Sequence, residues 1–194
     1  MRIGNEFEVG QSVDRVWEFF GDVPGVAACL PGADLTEELG DDTYGGTVGV
    51  RMGPVRMEFK GRAKILERDD AAKRMVIDAS GSDLKGRGQA AMTVTAVLTP
   101  AGRGTRVRME QDLQLSGAAA QYGRGMISDV TTVLMGQFAD NAQRRIDALE
   151  RGESVDALTA KPASGLSIGL QAMRMALLRV FRRFFLPYQP TPTS

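Results

Sequence analysis

Residues 55–65 read VRMEFKGRAKI, and this stretch decides the fold of the chain. Apolar or small residues occupy every second position from Val55 to Ile65, and charged residues stand between them. Successive side chains of a strand point to opposite faces of a sheet, so one face of this segment is dry and the other is wet. The segment therefore predicts an amphipathic strand in an antiparallel sheet.

Strand patterns separated by turn residues continue on both sides of this segment, from Ala33 to about Leu115. Clusters of Gly, Pro and Asp indicate the turns, at 39–42, 52–54, 69–70, 83–88 and 100–104. A further strand is predicted over residues 2–9. It precedes a helix that Ser12 caps and Gly21 ends, and then a short helical turn bounded by Pro-Gly pairs.

A long helix is predicted to begin at Gly117 and to run to about Glu150, because apolar residues recur there at steps of three and four. Strand, helix, meander and long C-terminal helix make a helix-grip arrangement of the α+β class. In this arrangement a curved antiparallel sheet wraps around the long helix. Residues 1–150 are therefore expected to form one domain with a cavity between sheet and helix, and such cavities bind apolar ligands.

The predicted ligand site follows from strand alternation and from the apolar face of the long helix. Its members are Val48, Val50, Met52, Met57, Phe59, Met75, Ile77, Met92, Val94, Met109 and Gln111, with Tyr122, Met126, Val130 and Leu134 on the helical segment. Five of the strand residues are methionines, whose unbranched, polarizable side chains can repack around ligands of varied shape, although methionine also fills irregular gaps in solid cores. Gln111, a polar residue among apolar neighbours, either meets a polar ligand atom or is satisfied by backbone.

Composition excludes several kinds of site. The chain of 194 residues has no histidine and a single cysteine, Cys29, so Ser-His-Asp and Cys-His arrangements are impossible, and we predict neither catalytic nor metal-binding residues. Lys+Arg and Asp+Glu are equal at 24 each, which gives no global charge for nucleic acid. The N-terminal sequence lacks the apolar core of a signal peptide, which predicts a cytoplasmic location.

Residues 166–186 read as a basic amphipathic helix, joined to the domain by a flexible linker over 151–165 and followed by a Pro-rich terminus over 187–194. Arginines interrupt the apolar run, so the helix is expected to lie on the inner leaflet of the membrane and not to cross it. Alternatively, its apolar stripe packs on the domain or on a partner. The predicted membrane-binding residues are Leu170, Met173, Leu177, Val180, Phe181 and Phe184, with Arg174, Arg179, Arg182 and Arg183.

Three segments together resemble a known family. They are Cys29-Leu30-Pro31-Gly32, the run GPVRMEFKG at 53–61, and the helix after Gly117, and they are similar to the CoxG family of carbon monoxide dehydrogenase accessory proteins, a branch of the START-like (SRPBCC) superfamily. The resemblance covers about residues 1–150. It implies an accessory protein that helps to place a molybdenum-containing CO dehydrogenase at the membrane, with no catalytic residues to carry over.

The resemblance and the residues together lead to a functional hypothesis. Electrons from CO oxidation must reach a lipid-soluble quinone, and a tethered domain with an apolar cavity would carry that quinone as cargo. Frequent Arg and Ala suggest a Gram-positive aerobe, for which the quinone would be menaquinone. No catalytic cofactor is expected. The alternatives are a membrane-recruitment scaffold without ligand and a START-like cyclase or hydratase that uses Asp, Glu or Tyr.

Overall fold

The computed structural model describes residues 1–52 and 55–155. Seven strands form one antiparallel sheet: β1 (Arg2–Val9), β2 (Ala33–Gly40), β3 (Thr43–Met52), β4 (Val55–Asp69), β5 (Arg74–Asp83), β6 (Gln89–Ala101) and β7 (Gly104–Leu115). Two helices, α1 (Val13–Gly21) and α2 (Val23–Cys29), connect β1 to β2, and the long helix α3 (Arg124–Glu150) follows β7. The sheet has the order β1-β7-β6-β5-β4-β3-β2, so only β1 is displaced from its chain neighbour.

This architecture confirms the predicted helix-grip, START-like fold. The meander begins at Ala33 and ends at Leu115, as the turn pattern predicts. Ser12 caps α1, since its side chain accepts a hydrogen bond from the Arg15 amide. Asp22 does the same for α2 at the Gly25 amide. Register shifts between Ile65 and Glu67 in β4 mark a bulge, which bends the strand and increases the curvature of the sheet.

The start of the long helix was predicted wrongly. Gly117–Gln121 forms a separate 3-10 helix, and α3 begins only at Arg124. Gly117 has a positive φ of 67°, and a Cβ there would lie 2.1 Å from the carbonyl oxygen of Arg87. The chain therefore passes too close to the β5–β6 loop, in a backbone conformation that no helix allows, to begin α3 at this point.

Helix α3 runs along β1 and spans the sheet from end to end. Near its start, Arg124 donates a hydrogen bond to the carbonyl of Arg2. The rings of Phe138 and Phe7 pack edge to face at 5.8 Å between centroids. Towards its end the Gln143 side chain accepts from the Gly10 amide, so α3 and β1 point in the same direction.

The two ends of the sheet are closed differently. At the end where α3 finishes, α1 and α2 cover a large apolar core, and the Trp17 indole donates to Asp70 at 2.7 Å. At the other end lie the loops after β3, β5 and β7. The predicted linker beyond residue 155, the amphipathic segment 166–186 and the terminus 187–194 lie outside the described residues. Within the described ranges, no helix combines the length and apolar character needed to cross a bilayer.

Candidate functional site

Cross-strand register places the predicted strand residues on one face of the sheet, the inner face that α3 covers. Val48 lies opposite Phe59 and Val50 opposite Met57. Directly paired residues of antiparallel strands share a face. The pairing continues through Ile77 with Val94, Met75 with Ala96, Ala79 with Met92, Val94 with Gln111 and Ala96 with Met109. Met52 pairs with Val55, but its side chain lies outside the described part of the structure.

The inner face divides into two apolar clusters. The first cluster lies under α1 and α2, and its buried members are Val9, Val16, Trp17, Phe19, Phe20, Cys29, Met75, Ala96, Leu98, Val107, Phe138, Ala142 and Ile146. The second cluster lies at the other end of the sheet, with Met57, Ala119 and Val130 buried and Val50, Val55, Phe59, Leu115, Tyr122 and Leu134 partly buried. Most residues that were predicted to line the ligand site therefore belong to two separate packing units.

Burial distinguishes these residues further. Met57 is 0% exposed and Met75 is 2% exposed, so both are packed on all sides in this conformation. Val48, Ile77, Met92 and Met109 are only half-buried although they face inward. An inward apolar side chain that keeps accessible surface borders space that the protein does not fill.

A row of small residues crosses the inner face between the two clusters. Gly46 pairs with Gly61, Gly61 with Gly81, and Gly81 with Ala90. The adjoining row contains Ala63 opposite Ala79. A Cβ on Gly61 would lie 2.0 Å from the carbonyl oxygen of Ser80, so this position accepts no side chain. The row leaves volume between sheet and helix beside Phe59 and Met92.

The helical segment completes this end of the site. Tyr122 and Leu134 pack against the second cluster, and Val130 is one of its buried members. Met126 is 45% exposed and lies on the outside of the domain, in agreement with its predicted place at a rim.

Two amide side chains lie on this otherwise apolar face. Gln111 is 6% exposed and stands opposite Ile3 of β1. Asn5, two positions along β1, stands opposite Met109, and its buried Nδ2 has no hydrogen-bond partner. The sequence analysis missed Asn5, although its signal was available: Ile3, Phe7 and Val9 alternate around it, which places a polar residue at an inward position. An unpaired buried donor is costly and marks a place where a ligand acceptor would be stabilised.

Asp83 and Arg87 fix the loop between β5 and β6. Nε and Nη2 of Arg87 each donate to one carboxylate oxygen of Asp83 at 2.8 Å, and the amides of Glu58, Lys85 and Arg87 donate to the same carboxylate. These bonds, that from the Arg87 side chain first, hold the pKa of Asp83 far below its ordinary value. Arg87 Nη2 also donates to the Arg56 carbonyl, which ties the loop to β4. This arrangement is a structural clasp, since all the acceptor positions of the carboxylate are occupied.

A separate polar groove of about 680 Å³ crosses strands β4 to β7. Alternation places most of its lining side chains on the outer face, and they are mainly polar: Lys60, Arg62, Ser80, Ser82, Gln89, Gln114 and Ser116. None of the predicted ligand-site residues lines it. Across residues 1–52 and 55–155, no group of three or more His, Cys, Asp or Glu side chains is placed to hold a metal ion.

Comparison with solved structures shows the fold. A conserved protein from Geobacillus kaustophilus superposes with a TM-score of 0.68 at 19% identity, covering 76% of this chain and 95% of that chain. The Zhui aromatase/cyclase from Streptomyces sp. R1128 gives a TM-score of 0.55 at 18% identity, covering 79% and 99%. Ara h 8.0201 gives 0.53 at 15% identity, covering 76% and 98%.

Comparison by sequence is more specific. A search of curated protein sequences found no match. The family model of CoxG, a component of carbon monoxide dehydrogenase, matches residues 5–147, which include nearly all of the seven strands and of α3. The CoxG family of carbon monoxide dehydrogenase accessory proteins is thus the family to which this chain belongs.

Proposed function

We propose that this protein is a non-enzymatic accessory carrier for a molybdenum CO dehydrogenase. Its helix-grip domain binds a lipophilic quinone, menaquinone in a Gram-positive aerobe, between the inner face of the sheet and α3. Its basic amphipathic segment, 166–186, attaches the protein to the inner leaflet of the cell membrane. The carrier then presents quinone to the dehydrogenase as its electron acceptor.

The observation that carries this proposal is the half-buried apolar wall beside the row of small residues. Met92 and Val48 face α3 yet keep accessible surface, and Gly61 accepts no side chain. A quinone has a flat apolar ring, a long hydrocarbon chain and two carbonyl acceptors. The wall supplies apolar surface, and the amides of Asn5 and Gln111 supply hydrogen-bond donors for a carbonyl.

The chemistry of the inner face favours a carrier over the cyclase or hydratase alternative. Asp83 is a carboxylate at an inward position, and its low pKa and full set of donors make it a poor general acid or base. The Cys29 thiol is buried, and burial raises its pKa to about 11, which makes it a poor nucleophile. The aromatase/cyclase neighbour is similar in fold alone, at 18% identity.

Quinone extraction tests the carrier. Full-length protein purified from its source, or loaded with menaquinone in detergent, is expected to retain about one quinone per chain, measured by organic extraction and absorbance. With purified dehydrogenase and quinone-containing vesicles, adding the protein should speed CO-dependent quinone reduction. Protein without bound quinone that still recruits the dehydrogenase to vesicles would leave only the scaffold function.

Deletion of residues 166–194 tests the tether. The truncated protein should keep its quinone yet lose vesicle binding, because cargo site and tether are separated by a linker. The double substitution Phe181→Asp with Phe184→Asp should act in the same direction by placing charge on the inserting stripe. Equal vesicle binding by the full-length and truncated proteins contradicts the tether.

A further inference from the structure

The charged residues of the domain are distributed unequally between its two ends. The end formed by the start of β4, the β5–β6 loop and the start of α3 is called the basic rim here; its residues are 55–58, 83–89 and 116–126. Its charged side chains are Arg56, Lys85, Arg87 and Arg124 against Glu58 and Asp83. Asp83 is already neutralised by Arg87, so Glu58 is the remaining carboxylate.

The opposite end is acidic. It comprises the β2–β3, β4–β5 and β6–β7 turns and the end of α3. Carboxylates outnumber cations there: Glu37, Glu38, Asp41, Asp42, Glu67, Asp69, Asp70, Asp147, Glu150 and Glu153 against Arg68, Lys73, Arg74, Arg103 and Arg151. A chain with a formal net charge of zero therefore carries a dipole along its long axis.

The free cations of the basic rim stand beside exposed apolar side chains. Leu84 is 56% exposed at the tip of the β5–β6 loop, and Met126 is 45% exposed in the first turn of α3. Arg56, Lys85 and Arg124 take part in none of the ion pairs found among the described residues. Exposed leucines occur at the acidic end too, for example Leu39, so charge is what distinguishes the two ends.

We propose that the basic rim docks on the surface of an anionic bilayer, with Leu84 and Met126 entering the headgroup region and Arg56, Lys85 and Arg124 meeting lipid phosphates. This inference rests on the proposed carrier function, since the second cluster and the row of small residues lie directly behind this rim and the rim is where cargo enters. The acidic end is repelled by the same surface, so the dipole orients the domain before contact.

The tether permits this orientation. Helix α3 has 27 residues and is roughly 40 Å long, so the chain leaves the domain at the acidic end, about that distance from the rim. Residues 151–165 reach at most roughly 50 Å when extended. The linker is therefore long enough for the tail and the basic rim to contact one membrane together.

Site-specific fluorescence tests the orientation independently of cargo. A polarity-sensitive dye is attached to full-length Leu84→Cys or, as the matched control, Leu39→Cys; Cys29 is buried with a raised pKa and stays unlabelled. On vesicles of phosphatidylcholine and phosphatidylglycerol that contain brominated lipid, the dye at position 84 should be quenched at least about twofold and the dye at position 39 scarcely at all. Equal quenching, stronger quenching at 39, or no vesicle binding overturns the proposal.

A second measurement links the rim to transfer. Leu84→Asp with Lys85→Glu is compared with Leu39→Asp with Arg103→Glu, which makes the same changes at the acidic end. Because each Lys near an anionic leaflet contributes a factor of about five, reversal at the rim should slow quinone uptake from vesicles about tenfold, and the control should change it less than about twofold. Equal uptake by the two variants contradicts the proposal.

Detergent loading separates the two hypotheses. Both variants should take up quinone from detergent as the unmodified protein does, because neither pair lies in the predicted site. If the unmodified protein binds no quinone from detergent, the carrier function fails, and dye quenching still decides whether the rim meets the membrane.

Discussion

The two apolar clusters of this domain are built to different standards of packing. The first cluster has four aromatic side chains and is closed by α1 and α2, with Val16, Cys29 and Val107 fully buried. The second cluster has three buried residues, and its larger members, Phe59, Tyr122 and Leu134, remain partly exposed. One end of the sheet thus contributes most of the stability, and the other retains surface for a ligand.

The second cluster is held by polar contacts where apolar packing is thin. The Asp83–Arg87 clasp fixes the β5–β6 loop to β4, and the Arg87 carbonyl accepts from the Ala118 amide of the 3-10 helix. Loops that are fixed by hydrogen bonds can border a cavity without filling it. The comparison therefore separates a stabilising end from a binding end, and the predictions below test that separation.

The largest expected effect is on the first cluster. Phe20→Ala removes a ring that packs edge to face on Phe138, and it should lower the free energy of unfolding by about 3–5 kcal/mol. Phe59→Ala in the second cluster should cost no more than about half as much, because Phe59 is already half exposed. Urea unfolding of both variants measures this. Equal losses would show that the two clusters are packed alike.

The clasp gives the next effect, and its sign follows from the pKa of Asp83. Because the folded pKa lies below the unfolded value of about 3.9, the carboxylate stabilises the protein above pH 4, and this contribution is lost as pH falls further. Asp83→Asn should lower Tm at pH 7, and the difference from the unmodified protein should shrink below pH 4. Asp112→Asn, in a half-exposed ion pair with the N-terminus, is the control and should change Tm little. A pH-independent difference contradicts the clasp.

The sequence predicts the fold well because alternation and turn residues act locally. The meander bounds, the Ser12 cap and the inward set of strand residues all follow from side-chain periodicity. The start of α3 does not, because Gly117 is excluded from the helix by its contact with Arg87, a residue 30 positions away that no local pattern reveals.

The candidate site is predicted only in part. Alternation assigns Met57 and Met92 to the same face, but it does not show that Met57 is packed on all sides and Met92 only half-buried. That difference depends on which residues of other strands and of α3 lie nearby. The charge asymmetry between the ends also appears only when the turns are assembled in space.

Filling the space beside the small row is a more direct test of the binding end. Met92→Trp should lower quinone binding strongly and change the free energy of unfolding by less than about 1 kcal/mol, since the ring enters free volume. In a solid core the same ring would cost about 1–3 kcal/mol by overpacking. Quinone content after detergent loading, measured with urea unfolding, distinguishes the outcomes. A folded but strongly destabilised variant would show that Met92 is surrounded by packed atoms.

The smallest expected effect concerns the unpaired amide on β1. Asn5→Leu replaces a buried donor that has no partner with an apolar side chain of similar size, so the free energy of unfolding should rise by about 1 kcal/mol. If Nδ2 donates to a quinone carbonyl, the same change should weaken quinone binding about fivefold, which is the equivalent of one hydrogen bond.

Thr105→Val provides the matched control, on the same face opposite Val9. The Thr105 hydroxyl donates to the Gln11 carbonyl at 2.7 Å, so its removal leaves that acceptor unsatisfied and should lower stability by about 1–2 kcal/mol without affecting quinone. The two substitutions thus have opposite signs for stability, and only Asn5→Leu should affect affinity. A stabilised Asn5→Leu protein with unchanged quinone affinity would mean that the amide does not contact the cargo and that the polar end of the quinone lies elsewhere on the inner face.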